Sequence, residues 1–415
     1  MGDRQAAHRA GEPAVILLLA LLILGPAPGP PRVITGADVL LERRLSLVAG
    51  KRVGLITNPT GRLSSGEMLL DALVRKGVNV TALFGPEHGI RGTSGAGETV
   101  ADSLDRETGI PVYSLYGPTR KPTRAMLEHV DVLVYDMQDV GARFYTFLST
   151  MGLCMEAAAE EGLPFIVLDR PDPLGGDLTD GPVLPDSLRS FVGMFPIPVV
   201  YGLTVGELAS MANGEGWLRG GERADLTVVR MEGWTRGMRW VQTGLPWYPP
   251  SPNIRRPGTE SIYPATCYLE ATNVSEGRGT GDPFHIIGAP FVPAGRFSRL
   301  LSAGYHDGIA VSDTEFVPGE SKYRGVRCRG VHIDAVSDDS LRPVRAGVEI
   351  LSALVHSCGD SLHVNPKGLA RLLGDAEALG LIGQGKSSVE IASRWERGLQ
   401  SFREKSKKYF AYPER

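Results

Sequence analysis

The feature that most constrains this 415-residue chain is a recurring pattern: an apolar run stops at a polar residue and a helical stretch follows. Lys51 to Thr57 is the first such run and ends in the turn Asn58-Pro59-Thr60-Gly61. Val78 to Phe84 stops at Gly85-Pro86-Glu87, and Val112 to Leu115 is a shorter third run. Asp131 to Tyr135 delivers Asp136, Gln138 and Asp139, and Pro164 to Leu168 delivers Asp169-Arg170-Pro171-Asp172. Short apolar runs bounded by turn residues read as buried strands. Between them, the Ser64 to Glu67 spacing predicts a capping box opening a helix with Leu69, Leu70, Leu73 and Val74 inward and Gly77 closing it. A second helix is predicted over Thr123 to Val130. A long one is predicted from about Phe144 to Glu161, with Phe144, Phe147, Leu148, Met151, Met155 and Ala158 on one face. Strands spaced by helices imply right-handed crossovers and a parallel sheet covered on both faces.

That arrangement gives the polar residues meaning. In an open parallel sheet all carboxyl ends lie on one edge, where ligands bind, so Asn58, Glu87, Asp136, Asp139 and Asp169 are expected to converge on one crevice. Strand-end Asp and Asn also cap helices or shape turns, a reading that suits Asp169 and Asp172 beside their prolines. Glu87 differs. It sits with His88 and Arg91 among glycines at 85, 89, 92, 95 and 97. Glycine lets the backbone turn sharply and approach a ligand closely, so this is either a loop built to hold chemistry or a flexible surface loop. No G-x-G-x-x-G follows the first run, and no Walker loop or G-x-S-x-G elbow occurs. A dinucleotide cofactor, phosphoryl transfer and α/β-hydrolase acyl chemistry are therefore not indicated, and no cofactor is expected.

Bulk composition narrows the class. A formal net charge of −3 advertises no nucleic acid or anionic surface as partner. Arg4, His8 and Arg9 precede an apolar run from Ala14 to Leu24 and the small-residue exit Gly25-Pro26-Ala27-Pro28-Gly29. Residues 1–30 thus read as a secretory signal, with an uncleaved anchor as the alternative. The run falls short of the roughly 20 apolar residues of a spanning helix. The expectation is an exported protein, periplasmic or extracellular, with no stable membrane insertion after cleavage. The four cysteines show no CxxC pair and no His at zinc spacing, so neither a metal site nor a cysteine nucleophile is expected.

Beyond residue 190, Thr204 to Glu207 spells another capping box and Asp225 to Met231 another strand. The Pro-rich stretch Leu245 to Asn253 marks a boundary between a Rossmann-like α/β domain at 33–248 and a smaller α/β domain at 249–415. Trp247 and Tyr248 there either stack on a sugar ring or pack the joint. Glu270 to Gly281 then sets acids and Arg278 among glycines, in the style of the first loop. A strand over Tyr323 to Ile333, a helix over Arg345 to His356 and a final amphipathic helix over Ser388 to Lys405 complete the reading.

Five stretches taken together resemble a known family. They are Gly85-Pro86-Glu87-His88-Gly89, the run Tyr135 to Thr146, Leu168-Asp169-Arg170-Pro171, Pro250-Ser251-Pro252-Asn253, and the run Ser275 to Thr280. In order and over about residues 33 to 412 they are similar to the exo-β-N-acetylmuramidase family, NamZ or YbbC-like proteins of glycoside hydrolase family 171. Asp172 stands where that family usually has Asn. The resemblance implies an exported bacterial enzyme that removes terminal N-acetylmuramic acid from the non-reducing end of peptidoglycan fragments. It also implies a Rossmann-like N-terminal domain, a smaller C-terminal α/β domain and a site in the cleft between them.

Glycoside hydrolysis usually needs two carboxyl groups flanking the bond. Glu87 is the first choice for an acid/base or stabilising role, with His88 and Arg143 placed to tune it. Glu276 is chosen as the second carboxylate, because a cleft between domains would bring the two glycine loops face to face. Asp139 is its rival. The stereochemical outcome depends on the carboxyl separation, about 5 Å for retention and about 6.5–9.5 Å for inversion. Muramic acid carries a lactyl carboxylate, for which Arg91, Arg143 and Arg278 are the candidate cations. Asn58, Tyr145 and Asn253 are candidates to bond sugar hydroxyls. A non-catalytic binder of muropeptides and a hydrolase of another amino-sugar glycan are the competing readings.

Overall fold

The computed structural model describes residues 32–87, 89–91, 103–304, 308–336 and 340–414. The expected signal segment 1–30, His88 and residues 92–102 of the glycine-rich loop lie outside the described residues. Among the described residues no helix is long and apolar enough to cross a membrane.

Seven strands form the main sheet: β1 (Arg52–Thr57), β2 (Asn79–Gly85), β3 (Ser103–Leu104), β4 (Pro111–Ser114), β5 (Val132–Asp136), β6 (Pro164–Leu168) and β7 (Asp225–Val229). Their order is β3-β4-β2-β1-β5-β6-β7, and every pairing is parallel except β3 on β4. Apart from that short edge strand this is the doubly wound order, in which the chain moves outward from β1 one way and then the other. The expected parallel sheet is present.

Alternation along each strand splits the apolar residues between two cores. β1 sends Val53 and Leu55, β5 sends Val132 and Val134, and β6 sends Ile166 and Leu168 to one face. There they meet Ala37 and Leu40 of the helix Gly36–Arg43 and Leu69 and Leu73 of the helix Leu69–Arg75. Ile56, Leu133, Tyr135, Phe165 and Val167 point the other way, under the helices Phe147–Glu161 and Val205–Gly214. Strands buried on both faces read as unbroken apolar runs, which is why they were visible in the sequence. Each such side chain contributes roughly 1.5–3 kcal/mol by leaving water.

The second core continues without a break into a smaller unit. Its sheet is antiparallel, in the order β8-β10-β9, from β8 (Ile286–Ala289), β9 (Ile309–Phe316) and β10 (Cys328–Ala335). Helices Thr259–Thr266, Ala294–Gly304 and Pro343–Cys358 pack around it. The single strand expected over Tyr323 to Ile333 is β10, shifted toward the C-terminus. β9 escaped notice because most of its side chains face water and carry no apolar run. The expected final helix divides into Ser388–Ser393 and Glu396–Ser406, where buried Trp395 turns its ring N–H to Asp375 Oδ2 at 2.9 Å.

Two local expectations are corrected. The Ser64–Glu67 box does not cap a helix. Helix Leu69–Arg75 starts at Met68 without a side-chain cap. Ser64 instead gives its N–H and hydroxyl to Asp38 Oδ1 at 3.0 Å each, and Glu67 pairs with Arg75 at 2.7 Å. The long helix begins at Phe147 rather than Phe144, with consequences for the site described below. By contrast, the Thr204–Glu207 box closes on both sides.

The C-terminus returns to the first domain as a strap. Tyr412 donates its hydroxyl to Asp169 Oδ2 at 2.6 Å and accepts the Met231 N–H at 2.9 Å. Asp169, at the end of β6, also accepts from Thr204 Oγ1 at 2.7 Å and Gly206 N at 2.9 Å. Glu207 holds Arg236 at 2.6 Å and the Ala411 N–H at 2.8 Å, while Phe410 lies 3.4 Å under the Arg236 guanidinium. A buried group deprived of its partner costs about 1–3 kcal/mol. Tyr412→Phe is therefore expected to lower the thermal midpoint by several degrees while circular dichroism at 25 °C stays unchanged. An unshifted midpoint would show that the strap adds nothing to stability.

Candidate active site

A cavity of about 150 Å³ lies between the β2–β4 side of the main sheet and the smaller unit. At about 10–15 Å³ for each water position it has room for on the order of ten waters, enough for one sugar ring. Glu87 enters it from the end of β2 and Tyr116 from the end of β4. Tyr145 and Thr146 come from the segment leading into helix Phe147–Glu161. Tyr263, Cys267, Glu270 and Arg278 complete it from the smaller unit.

Glu87 follows a strand that ends at Gly85-Pro86, and Gly89 turns the chain with φ 72°. Thr146 Oγ1 donates to Glu87 Oε2 at 3.0 Å. Thr146 occupies the N-cap of its helix, yet its side chain does not cap it. The hydroxyl serves Glu87 instead, and the carboxylate sits beside the partial positive charge of that helix end. The helix starts later than its apolar periodicity predicts because the residues before it pair elsewhere: Ala142 bridges Val200 and the Arg143 N–H donates to Val199 O at 2.7 Å. Tyr116 lines the same cavity beside Glu87. Burial, then the Glu87 charge, push its pKa up to about 12, so it remains a donor at neutral pH.

Glu270 faces Glu87 from the other wall. Its side chain keeps 36 % of its surface accessible but sits in a concave wall, where desolvation raises its pKa against the opposing pull of Arg278. Arg278 Nη2 donates to it at 2.5 Å. Glu87 and Glu270 both line this one small cavity.

Several sequence candidates lie elsewhere. Glu276, expected as the second carboxylate, is 2 % exposed and does not line the cavity. Arg278 Nε and Lys322 Nζ hold its two oxygens at 3.0 Å each, and Lys322 also bonds the carbonyls of Leu269 and Val274. The neighbouring glycines answer to backbone crowding. A Cβ on Gly277 would lie 2.6 Å from Ile286 O, and one on Gly279 would lie 2.3 Å from Glu320 N. Asp139 is buried beneath the sheet edge, accepting from Tyr201 Oη and from Gly141 N at 2.8 Å, and burial raises its pKa to about 6.

Arg143 is 1 % exposed and spends its guanidinium on three carbonyls: Pro182 at 2.8 Å, Ile197 at 3.0 Å and Leu372 at 2.9 Å. Leu372 lies in the last turn of helix Pro366–Leu373, so Arg143 pins a helix end of the smaller unit to the first domain. Burial lowers its pKa to about 10, still charged at neutral pH. Arg91 forms a fork on Asp105 at 3.0 Å and leaves the cavity to others. Asn58 is fully buried and folds its Oδ1 onto Thr60 N at 2.9 Å, a turn rather than a ligand contact. Asn253 is 3 % exposed behind the cavity-lining Ser251 and Ile254. Of the binding candidates, Tyr145 and Arg278 line the cavity. His88 lies outside the described residues.

Glu270 was the residue sequence reasoning passed over. The signal was present: Tyr263, Cys267 and Glu270 recur at helical i, i+4, i+7 spacing and line one wall together. Trp247 and Tyr248 settle the question of the joint. Trp247 packs edge-on to Trp240 at 5.0 Å, and Tyr248 lies under Arg62 at 4.9 Å. Trp240, Leu245, Pro246 and Tyr248 line the crevice at the β1–β5 switch point, where a doubly wound sheet usually binds its ligand. Asp282, His285 and His332 also gather within 4.8 Å. Arg256 forks onto Asp282 at 3.0 Å, so that cluster already holds a cation of its own.

Comparison with known proteins covers nearly the whole chain. Residues 53–258 match the family described as "Exo-beta-N-acetylmuramidase NamZ, N-terminal", and residues 261–412 match its C-terminal counterpart. The peptidoglycan beta-N-acetylmuramidase NamZ of Bacillus subtilis is 43 % identical over 384 residues, 92 % of this chain and 92 % of that protein. A crystal structure of a DUF1343 family protein from Bacteroides fragilis superimposes with a TM-score of 0.85 at 39 % identity, covering 92 % of this chain and 99 % of that one. A second protein of that family and organism gives 0.77 at 33 % identity, over 93 % and 100 %.

The perturbed Asp139 carries a pH signature. Its folded pKa of about 6 lies above the unfolded value of about 3.9, so its protonated form favours the fold. That contribution is complete below about pH 4 and is lost as pH rises through about 6, on the order of 3 kcal/mol in all. Asp139→Asn keeps an acceptor for Tyr201 and removes the titration. The stability of the variant relative to wild type is therefore expected to improve between pH 4.5 and 7.5, read from urea midpoints. A pH-independent difference would contradict the assignment.

Proposed function

The chain belongs to the exo-β-N-acetylmuramidase NamZ family, and from that membership we propose that it is a glycoside hydrolase releasing terminal N-acetylmuramic acid from the non-reducing end of peptidoglycan fragments. The observation that carries the reading is the reach of the match, 43 % identity over 92 % of both chains, spanning the two units that form the cavity. The cavity's dimensions and its two carboxyl groups suit the removal of one sugar.

In the proposed mechanism Glu87 protonates the leaving oxygen, oriented by the Thr146 hydroxyl at 3.0 Å. Glu270, across the cavity, stabilises the positive charge that develops at the anomeric carbon or assists the attacking water. Arg278 is the cavity-lining cation suited to the lactyl carboxylate. Its Nη2 and Nε are taken by Glu270 and Glu276, which fixes the plane of the guanidinium. Tyr145 and Tyr263, 6.0 Å apart at right angles, offer apolar faces to the ring. The basic, apolar and small-residue order of residues 1–30 supports export, to where the substrate lies.

A chromogenic N-acetylmuramic acid glycoside tests the reading. Glu87→Gln is expected to lower kcat by about 10²–10⁴-fold with an unchanged thermal midpoint. Turnover near wild type would remove Glu87 from the chemistry, and saturable binding by the wild type without release would make the protein a binder. The second carboxylate is decided by a pair of variants. Glu270→Gln is expected to lose kcat and keep its fold, whereas Glu276→Gln strands Lys322 and Arg278 and is expected to lose stability first. The reverse pattern would restore Glu276.

A further inference from the structure

Beside the catalytic cavity runs a second, larger depression of about 770 Å³. The two share a wall. Val192 faces the cavity and Phe191 the groove, and the Tyr116 and Phe191 rings lie 6.2 Å apart. Helix Phe147–Glu161 forms the common floor, with Phe147 in the cavity and Ser149, Leu153 and Glu156 in the groove. At about 1.5 Å per residue the groove extends on the order of 10 Å from the cavity, the length of two or three sugar residues.

The groove is cationic. Arg120, Lys121, Arg189 and Arg219 line it, against the single carboxylate of Glu156. Glu156 is already engaged, accepting the Arg219 backbone N–H at 2.9 Å. Lys121 is satisfied by Glu160 at 2.5 Å, and Arg189 by the exposed Asp186 at 2.9 Å. Among the described residues no carboxylate lies within ion-pair distance of the Arg120 or Arg219 guanidinium. Arg120 rests instead 4.3 Å over the Phe191 ring. Trp217 and Phe191 add two half-buried aromatic surfaces. Charge without counter-charge beside flat apolar faces suits a carboxylate-bearing glycan.

We propose that this groove is the subsite for the chain beyond the scissile bond, where Arg120 and Arg219 take the carboxylates of the next muramic acid and Phe191 and Trp217 support its sugar rings. The inference rests on the peptidoglycan reading above. A terminal sugar fills the small cavity, and the remaining glycan leaves it across Phe191 and Val192. The carboxylates available there are the lactyl group of an unsubstituted muramic acid or those of an attached peptide stem.

The test compares a substrate that fills only the cavity with one that reaches the groove. Wild type and Arg120→Ala/Arg219→Ala are assayed on the chromogenic monosaccharide and on a tetrasaccharide ending in muramic acid, with and without peptide stems. The ratio of kcat/KM for tetrasaccharide over monosaccharide is expected to fall about tenfold, corresponding to ~1.4 kcal/mol. A fall with the bare tetrasaccharide assigns the lactyl carboxylate, and a fall only with the peptide-bearing one assigns the stem. Equal losses on both lengths, or no loss on either, would overturn the proposal. Calorimetric binding of the same fragments to Glu87→Gln, with and without the arginine substitutions, separates the two readings. Arginine-dependent binding in a protein that cleaves no muramic glycoside leaves the groove standing and the hydrolase reading fallen. Cleavage with arginine-independent binding does the opposite.

Discussion

Six parallel strands deliver their carboxyl ends to one edge of one sheet, and most of that edge is sealed from water. Burial without partners is costly for polar groups, so each acid there takes a partner on at least one oxygen, while among the described residues Asp136 Oδ2, Asp139 Oδ1 and Asp172 Oδ2 have none. Asp136 takes Arg170 at 2.6 Å, Asp139 takes Tyr201, and Asp169 takes Thr204, Gly206 and Tyr412. Glu87 is the strand-end acid left facing a cavity, since β2 and β4 lie outside the region covered by residues 240–248. The site therefore sits to one side of the switch point that this strand order usually favours.

The same constraint explains which parts of the molecule were legible. Strands β1, β2, β5 and β6 are buried on both faces and spell themselves as apolar runs, and their polar endings follow from the topology alone. Convergence on an edge was legible, but the division of that edge into sealed and open parts was not. It depends on the segment around Trp240 and Trp247, joined to the sheet by no local pattern. Arg143 shows the difficulty. Its place in a motif-like run suggested chemistry, and only the carbonyls of Pro182, Ile197 and Leu372, far away in the chain, reveal it as a staple.

Glu270 and Glu276 make the point more sharply. Both stand in one acidic, glycine-rich run, and glycine density drew attention to Glu276. The glycines at 277 and 279 are required by neighbouring backbone, and Glu276 anchors their loop through Arg278 and Lys322. Glu270 belongs to the preceding helical stretch, whose spacing aims it with Tyr263 and Cys267 at the cavity. Arg278 spans the two roles: one nitrogen braces the structural acid and another the cavity-lining one. Thr146 is the complementary case, a helix that gives up its cap so that Glu87 has a donor. A local rule broken without local compensation marks the place where the Glu87 carboxylate is held.

The strap from Phe410 to Pro413 bears on the order in which the chain can assemble. Asp169 stands at the end of the sixth strand, yet one of its donors is Tyr412, 243 positions later. A ribosome that has released the entire doubly wound sheet has still to synthesise the residue that completes its buried acceptor. Until then the first domain retains an unfilled hydrogen-bonding position at its centre, whatever the state of its apolar packing. Completion of that buried network thus waits for residues 410–413, so the hydrogen bonding of the first domain is closed by residues made after the second unit.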